Sequence, residues 1–176
     1  MSKTECEHFC RIVKGGRVFD FDQKFPTRED LPINGVYIML DVDESGCYRV
    51  VRIGINKKRS LFDRLSKHKQ GTIRNSIFRK HLFRILNSEQ AVTNYLRQNI
   101  SFVVIDDTDN VREDLEKRII CGISNCKERV VFSDWLGSQS VNKKIRESGL
   151  WNVQHVFGGY AITKSDLAYC EKNLLK

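Results

Sequence analysis

The sequence predicts an α+β fold: a small central three-stranded, mainly antiparallel sheet flanked by helices, with N- and C-terminal additions. Two apolar segments, GVYIML (35–40) and CYRVVRIGI (47–55), are joined by the turn DVDESG and are typical of a β-hairpin. A third such segment, SFVVID (101–106), comes only after several stretches of helical character. Strands and helices that follow each other in this irregular order favour an α+β arrangement.

Three helices are predicted between the second and third strands. Ser60 is expected to be the N-cap of the first, with Asp63 completing a capping box. The three segments are SLFDRLSKH (60–68), SIFRKHLFRIL (76–86) and SEQAVTNYLRQ (88–98).

A fourth helix is predicted over REDLEKRIICGIS (112–124), where Leu115, Ile119 and Ile123 form an apolar stripe. Glu116 lies at the border of that stripe, and a carboxylate in this position needs either a salt bridge or a metal ion. A short last helix is expected to begin at Lys164 or Ser165.

The chain divides into a lead-in (1–33), a core (34–125) and a C-terminal extension packed on the core (126–176). Two prolines in FPTREDLP mark the end of the lead-in. The extension is rich in loops, and Trp135 and Trp151 are expected to be core residues rather than base-stacking platforms.

Composition indicates an intracellular, cytoplasmic protein without a membrane partner. Of the 176 residues, 40% are hydrophobic and 30% charged, and no apolar run approaches the roughly 20 residues of a membrane span. The first residues lack the apolar centre of a signal peptide. The cysteines are expected to be reduced, although Cys6, His8 and Cys10 leave a zinc-stabilised interaction protein as an alternative.

The positive charge is concentrated in one segment. Between Arg49 and Arg84 there are twelve Lys or Arg and one acid, a net charge of +11, so the rest of the chain carries −3. Such a block favours a surface that binds a polyanion such as a nucleic acid.

The strand pattern places an unusual pair on one face of the hairpin. Alternation assigns Tyr37 and Arg52 to the same face. Arg64 and His68, four residues apart, share a stripe of the first helix beside its apolar side. The opposite face of the hairpin is predicted to be aliphatic, formed by Val36, Ile38, Leu40, Val51, Ile53 and Ile55.

These residues together resemble the motifs of the GIY-YIG nuclease superfamily over 34–124. The motifs are GVY on the first strand (Tyr37), RIG on the second (Arg52), Arg-x-x-x-His on the next helix (Arg64, His68) and a helical Glu (Glu116). The tail also resembles the ending of bacterial stand-alone members. The family usually has Tyr where this chain has Arg52.

The resemblance implies a metal-dependent DNA endonuclease. It implies that Glu116 holds Mg²⁺ or Mn²⁺ and that Arg64 binds the scissile phosphate. It also implies that Tyr37 positions the attacking water or accepts its proton, assisted by His68. Asn142 is a candidate for an Asn that family members often carry near the site, and Asn152 is another.

DNA, double-stranded or branched, is the implied partner, and association with the nucleoid fits that partner. A double-strand cut would require a homodimer or two successive nicks. The alternative is a catalytically inactive nucleic-acid-binding module, which the replacement of Tyr by Arg52 favours. The residues expected to contact the phosphate backbone are Lys57, Lys58, Arg59, Arg74, Arg79, Lys80, Lys143, Lys144 and Arg146.

Overall fold

The computed structural model describes residues 3–42, 48–126 and 135–176, and its α+β architecture confirms the predicted fold class. The strands are β1 (Phe19–Asp20), β2 (Gly35–Val42), β3 (Tyr48–Ile55) and β4 (Ile100–Asp106). The helices are α1 (Lys3–Lys14), α2 (Leu61–Gln70), α3 (Ile77–Leu86), α4 (Glu89–Asn99), α5 (Arg112–Ser124), α6 (Lys143–Ser148) and α7 (Lys164–Asn173), with a 3₁₀ turn at Leu136–Gln139. Residues 43–46 of the predicted hairpin turn lie outside the described residues.

The sheet has the strand order β1-β4-β2-β3, and every pair is antiparallel. The three predicted strands are β2, β3 and β4. The fourth, β1, pairs Phe19 with Phe102 at one edge. A strand of two residues is too short to show alternation, so no sequence pattern predicts it.

Helices cover both faces of the sheet. Residues of α1, α5 and α7 pack on one face, and residues of α2, α3 and α4 pack on the other together with Trp135 and Trp151. The lead-in therefore contains a helix, α1, that was not predicted. Its side chains Phe9, Ile12 and Val13 enter the first core and give the i, i+3, i+4 spacing that could have revealed it. The domain boundaries at 34 and 125 stay a prediction.

A β-bulge changes the predicted faces of β3. Met39 pairs with Arg52 and Leu40 with Val50, so Val51 has no partner on β2. Val50 packs with Ile53 in one core, whereas Val51 packs on the opposite side. The assignment of Val51 to the aliphatic face was therefore wrong, and the bulge places Val51 and Arg52 on the same side.

The C-terminal segment covers the outer edge of β3. The Trp151 N–H donates to the Val51 carbonyl at 2.7 Å. The Asn152 amide imitates a strand partner: its oxygen accepts from Ile53 N at 3.0 Å and its nitrogen donates to Ile53 O at 2.8 Å. These bonds occupy backbone groups at the edge of β3 that could otherwise pair with another strand. They also hold Arg52 in place.

The start of α2 was predicted in part. Ser60 is the N-cap, and its side chain accepts from Asp63 N. The Asp63 carboxylate, however, pairs with Arg28 at 2.8 Å instead of completing a capping box. A basic residue far away in sequence competes successfully for that carboxylate. No helix in the described ranges is long and apolar enough to cross a bilayer.

Candidate active site

A cavity of about 790 Å³ opens where β2, β3, α2 and α5 meet the C-terminal segment. Four of the predicted catalytic residues line it, one from each of these elements: Tyr37, Arg52, Arg64 and Glu116. The fifth, His68, is fully buried behind Tyr37. Residues that are far apart in the sequence thus meet around one cavity.

Tyr37 belongs to a buried chain of hydrogen bonds. Its phenol oxygen lies 3.0 Å from Nε2 of His68, and Nδ1 of His68 lies 3.0 Å from Ser76 Oγ. Ser76 is the N-cap of α3, and its Oγ also accepts the backbone N–H of Arg79 at 3.3 Å. Ser76 was not predicted as a site residue, although a serine before an apolar helical segment is a typical N-cap.

The imidazole of His68 is neutral at neutral pH. Burial lowers the pKa of His68 well below its ordinary value, and the nearby charges of Arg64 and Arg52 lower it further. Ser76 Oγ accepts the Arg79 N–H, and we place its own hydrogen on Nδ1 of His68, where it has an acceptor. We therefore assign the ring proton to Nε2, which donates to Tyr37 and leaves the phenol hydrogen free for another acceptor.

Gly54 allows Tyr37 to reach this position. The two residues pair across β2 and β3, and a Cβ at position 54 would overlap the Tyr37 hydroxyl group. The glycine of the RIG motif is therefore required by close approach.

Arg52 is buried without a carboxylate partner among the described residues. It is 8% exposed, its guanidinium carbon lies 5.1 Å from the centre of the Phe78 ring, and Nη1 donates to Trp151 O at 3.2 Å. Its Nη2 makes no hydrogen bond within the described ranges. An arginine held by a ring and one carbonyl keeps donors available for an anion in the cavity.

Arg64 is a second available cation. It is half-buried, and its buried Nε has no partner in the part of the chain that the structure describes. Its charge lowers the pKa values of both His68 and Glu116. Two guanidinium groups without an ion-pair partner among the described residues therefore line one cavity.

Glu116 is one of two acidic residues that line the cavity. Burial raises its pKa, while the charges of Arg52, Lys57 and Arg64 act in the opposite direction. It forms neither a hydrogen bond nor an ion pair with any described residue, so the salt bridge considered from the sequence is not found there.

The surroundings of Glu116 fit a single hard cation. Mg²⁺ is commonly bound by one or two carboxylates and keeps several waters. Glu113, one turn earlier on α5, also lines the cavity. The described residues contain no group of three or more His, Cys, Asp or Glu arranged to hold a metal, so waters and substrate oxygens would have to complete the coordination.

His81 is another residue of the cavity that was not predicted. It is 8% exposed, and burial together with the charges of Arg84 and Arg52 lowers its pKa to about 4. It is therefore a neutral imidazole beside Arg52. No motif distinguishes it from an ordinary helical histidine.

The basic turn after β3 lies at the cavity and is held by Asn56. Lys57, Lys58 and Arg59 are exposed and line the cavity. The buried Asn56 side chain donates to the Arg59 carbonyl at 2.7 Å and accepts from Gly35 N at 3.1 Å. The turn therefore presents its three cations from a fixed backbone.

Arg79 was wrongly predicted to contact phosphate. It is 2% exposed, and its guanidinium donates to the His68 carbonyl at 2.8 Å and to Thr93 Oγ1 at 2.7 Å. It satisfies carbonyls at the C-terminal end of α2. Arg74 and Lys80, its neighbours in the predicted set, are exposed.

The predicted cations of α6 are all exposed. Lys143 pairs with Glu147 at 3.7 Å, and Arg146 donates to the Ser140 carbonyl at 2.6 Å. Lys144 lies 3.5 Å from the Val153 carbonyl. Their contact with a phosphate backbone stays a prediction.

The two candidate asparagines have different environments. Asn142 lines the cavity, and its side-chain oxygen caps α6 by accepting from Lys144 N at 3.0 Å. The Asn152 amide is occupied at both ends by Ile53. Trp135 and Trp151 are core residues, 2% and 0% exposed, as expected.

The suggested zinc ligands do not converge. Cys6 contacts Cys10 and Cys126, and hydrogen bonding to Cys10, followed by burial, raises the pKa of the Cys6 thiol strongly. His8 lies in a different groove, with Arg11 and Glu171. The prediction of a Cys6, His8, Cys10 site is therefore not supported by the described residues.

A family model described as a GIY-YIG domain matches residues 84–170, about half of the chain. The matched range contains Glu116 and Asn142, whereas Tyr37, Arg52 and Arg64 precede it. Searches of curated proteins and of solved structures gave no match.

Proposed function

The chain belongs to the GIY-YIG nuclease superfamily, and we propose that it is a metal-dependent endonuclease that hydrolyses phosphodiester bonds in DNA. The observation that carries this proposal is the meeting of Tyr37, Arg52, Arg64 and Glu116 around one cavity. A phenol, two cations without carboxylate partners among the described residues and one unpaired carboxylate fit the hydrolysis of a phosphodiester.

The two arginines bind the scissile phosphate. Arg52 and Arg64 direct unpaired guanidinium donors to the cavity, where they can contact the non-bridging oxygens and offset the charge that develops on them. In this role Arg52 is a working replacement for the tyrosine that the family usually has at this position.

Tyr37 orients the attacking water or, as a phenolate, accepts its proton. In the tautomer assigned above, the Nε2–H of His68 donates to the phenol oxygen and holds it in place. His68 itself is a poor proton acceptor because its pKa is depressed, so its role is to position Tyr37.

Glu116 would hold Mg²⁺ or Mn²⁺. A bound divalent ion supplies stabilisation of charge on the leaving oxygen. Glu116 contributes one anionic oxygen ligand, and its raised pKa falls when a cation is bound.

Cleavage of supercoiled plasmid DNA in Mg²⁺ or Mn²⁺ tests the proposal. We expect wild type to nick or linearise the plasmid, and Glu116→Ala and Arg64→Ala to lose about 10²–10³ in rate. Asp114→Ala is the matched control, because Asp114 lies on the same helix and its side chain is 67% exposed. Equal cleavage by wild type and Glu116→Ala would rule out this site.

The second candidate is an inactive DNA-binding module, favoured by Arg52 in place of the family's tyrosine. It predicts salt-sensitive binding to the same plasmid without cleavage by wild type. The form of the product also bears on assembly, because direct linearisation would require two active sites and hence a homodimer.

A further inference from the structure

Tyr160 is the more exposed of two aromatic residues in the loop after His155, the other being Phe157 at 44%. Trp135, Trp151 and Phe78 are buried and cannot receive a nucleobase. Tyr160 is 54% exposed, and its ring centre lies 6.3 Å from that of His155, which lines the cavity.

Two lysines lie beside the loop that carries Tyr160. Lys57 and Lys117 line the cavity together with His155, and Lys117 pairs with the exposed Asp114 at 3.0 Å. The pKa of His155 is lowered by burial first and then by the charges of Lys117 and Lys57. Lysines beside His155 suit a phosphate backbone.

The loop that carries Tyr160 is firmly held. Val156 is buried in the core between the sheet and helices α1, α5 and α7. Phe157 N donates to Ser124 Oγ at 2.9 Å. The Gly158 carbonyl accepts from Cys121 Sγ at 2.7 Å and from the Asn125 amide at 3.1 Å. These contacts fix the loop to the C-terminal end of α5, the helix that also carries Glu116.

The backbone of this loop adopts an uncommon conformation. His155 and Phe157 have φ angles of 63° and 56°, a region that residues with side chains rarely occupy. Strained backbone that the surrounding contacts maintain is a reason to look for function. Both residues lie in the loop that leads from the cavity-lining His155 to the exposed Tyr160.

We propose that Tyr160 is a stacking platform for an unpaired nucleobase next to the scissile phosphate, so that the substrate is DNA with a bulged, flapped or single-stranded nucleotide. This inference rests on the proposed function for the position of the scissile phosphate. Stacking on an exposed aromatic ring is tolerant of base identity. Lys117 and Lys57 bind the adjoining phosphates.

The test uses two hairpin DNAs that carry 2-aminopurine, once as a single-nucleotide bulge and once paired within the duplex. Binding is followed without divalent metal by anisotropy and by the fluorescence of 2-aminopurine, which stacking quenches. Tyr160→Ala and Tyr160→Phe are compared with wild type. Tyr48→Ala is the control, since Tyr48 is 42% exposed on β3 and does not line the cavity.

We expect wild type to prefer the bulged probe and to quench it. Tyr160→Ala should bind the bulged probe about 5- to 100-fold more weakly with unchanged affinity for the paired probe, while Tyr160→Phe and Tyr48→Ala behave as wild type. Equal losses on both probes, or no loss on either, would overturn the platform.

Because no metal is present, this result does not depend on hydrolysis. If plasmid cleavage requires Glu116 but Tyr160→Ala changes binding to neither probe, the stacking platform is rejected and the nuclease is not. If Tyr160 quenches the bulged probe but wild type cleaves no plasmid, the nuclease is rejected and the stacking platform is not.

Discussion

Two buried arginines on the same side of the sheet differ in what their terminal nitrogens contact. Arg79 donates to the His68 carbonyl and to Thr93 Oγ1, at the junction of α2, α3 and α4. Arg52 lies on the Phe78 ring and donates to one carbonyl, and the rest of its guanidinium faces the cavity. Both lack a carboxylate partner in the described ranges.

The difference separates a structural cation from one available to a ligand. The hydrogen bonds of Arg79 stabilise the end of a helix, and the removal of its guanidinium leaves buried oxygens unpaired. Arg52 has donors that the protein leaves unused, so its removal costs the fold less and the binding of an anion more. Burial alone does not distinguish the two roles, whereas the set of hydrogen-bond partners does.

Arg79→Met is expected to have the largest effect on stability. It keeps much of the side-chain volume but leaves the His68 carbonyl and Thr93 without their donor, and we expect a loss of about 3–5 kcal/mol. Urea unfolding followed by circular dichroism measures it. The exposed Arg74→Met is the control and should change the free energy of unfolding by less than about 0.5 kcal/mol. Similar losses for the two variants would contradict a structural role for Arg79.

Arg52→Met should show the opposite pattern. A methionine fits between Phe78 and Trp151, so we expect a change in stability of less than about 1.5 kcal/mol, while plasmid cleavage falls by about 10²–10³. The pair of measurements, urea unfolding and cleavage rate, is made on the same preparation. If Arg52→Met cleaves as fast as wild type, Arg52 does not bind the phosphate.

Elements that are marked by the spacing of a few neighbouring apolar residues were predicted correctly. The helix 112–124 was predicted with the bounds found for α5, because Leu115, Ile119 and Ile123 repeat at helical spacing. The position of Tyr37 and Arg52 on one face also follows from alternation, although the bulge exchanges the faces predicted for Val50 and Val51.

What the sequence did not predict depends on contacts between elements. Arg79 follows Phe78 in a segment rich in basic residues, and nothing local shows that α2 and α4 will enclose it. Ser76 and His81 become site residues only when α3 packs beside β3. The loop that carries the exposed ring of Tyr160 is held by hydrogen bonds with Ser124, Cys121 and Asn125, more than thirty residues earlier.

The smallest expected effect concerns pH and the neutral His68. Its pKa is depressed in the folded protein, so below the unfolded value of about 6.5 the unfolded chain binds a proton that the folded chain does not. The stability that results is present above that value and is lost as the pH falls. The loss approaches about 1.4 kcal/mol per pH unit.

His68→Gln removes this titration while its amide can still reach Tyr37 or Ser76. Urea unfolding of wild type and His68→Gln at pH 7.0, 6.0 and 5.0 gives two slopes, and their difference isolates His68 from the carboxylates and from His81, which titrate in both proteins. We expect the wild-type slope to be steeper between pH 6 and 5 by about 1 kcal/mol per unit. Parallel slopes would mean that His68 is charged in the folded state, and the assigned direction of the Ser76, His68 and Tyr37 hydrogen bonds would then be wrong, because both ring nitrogens of a charged imidazole donate.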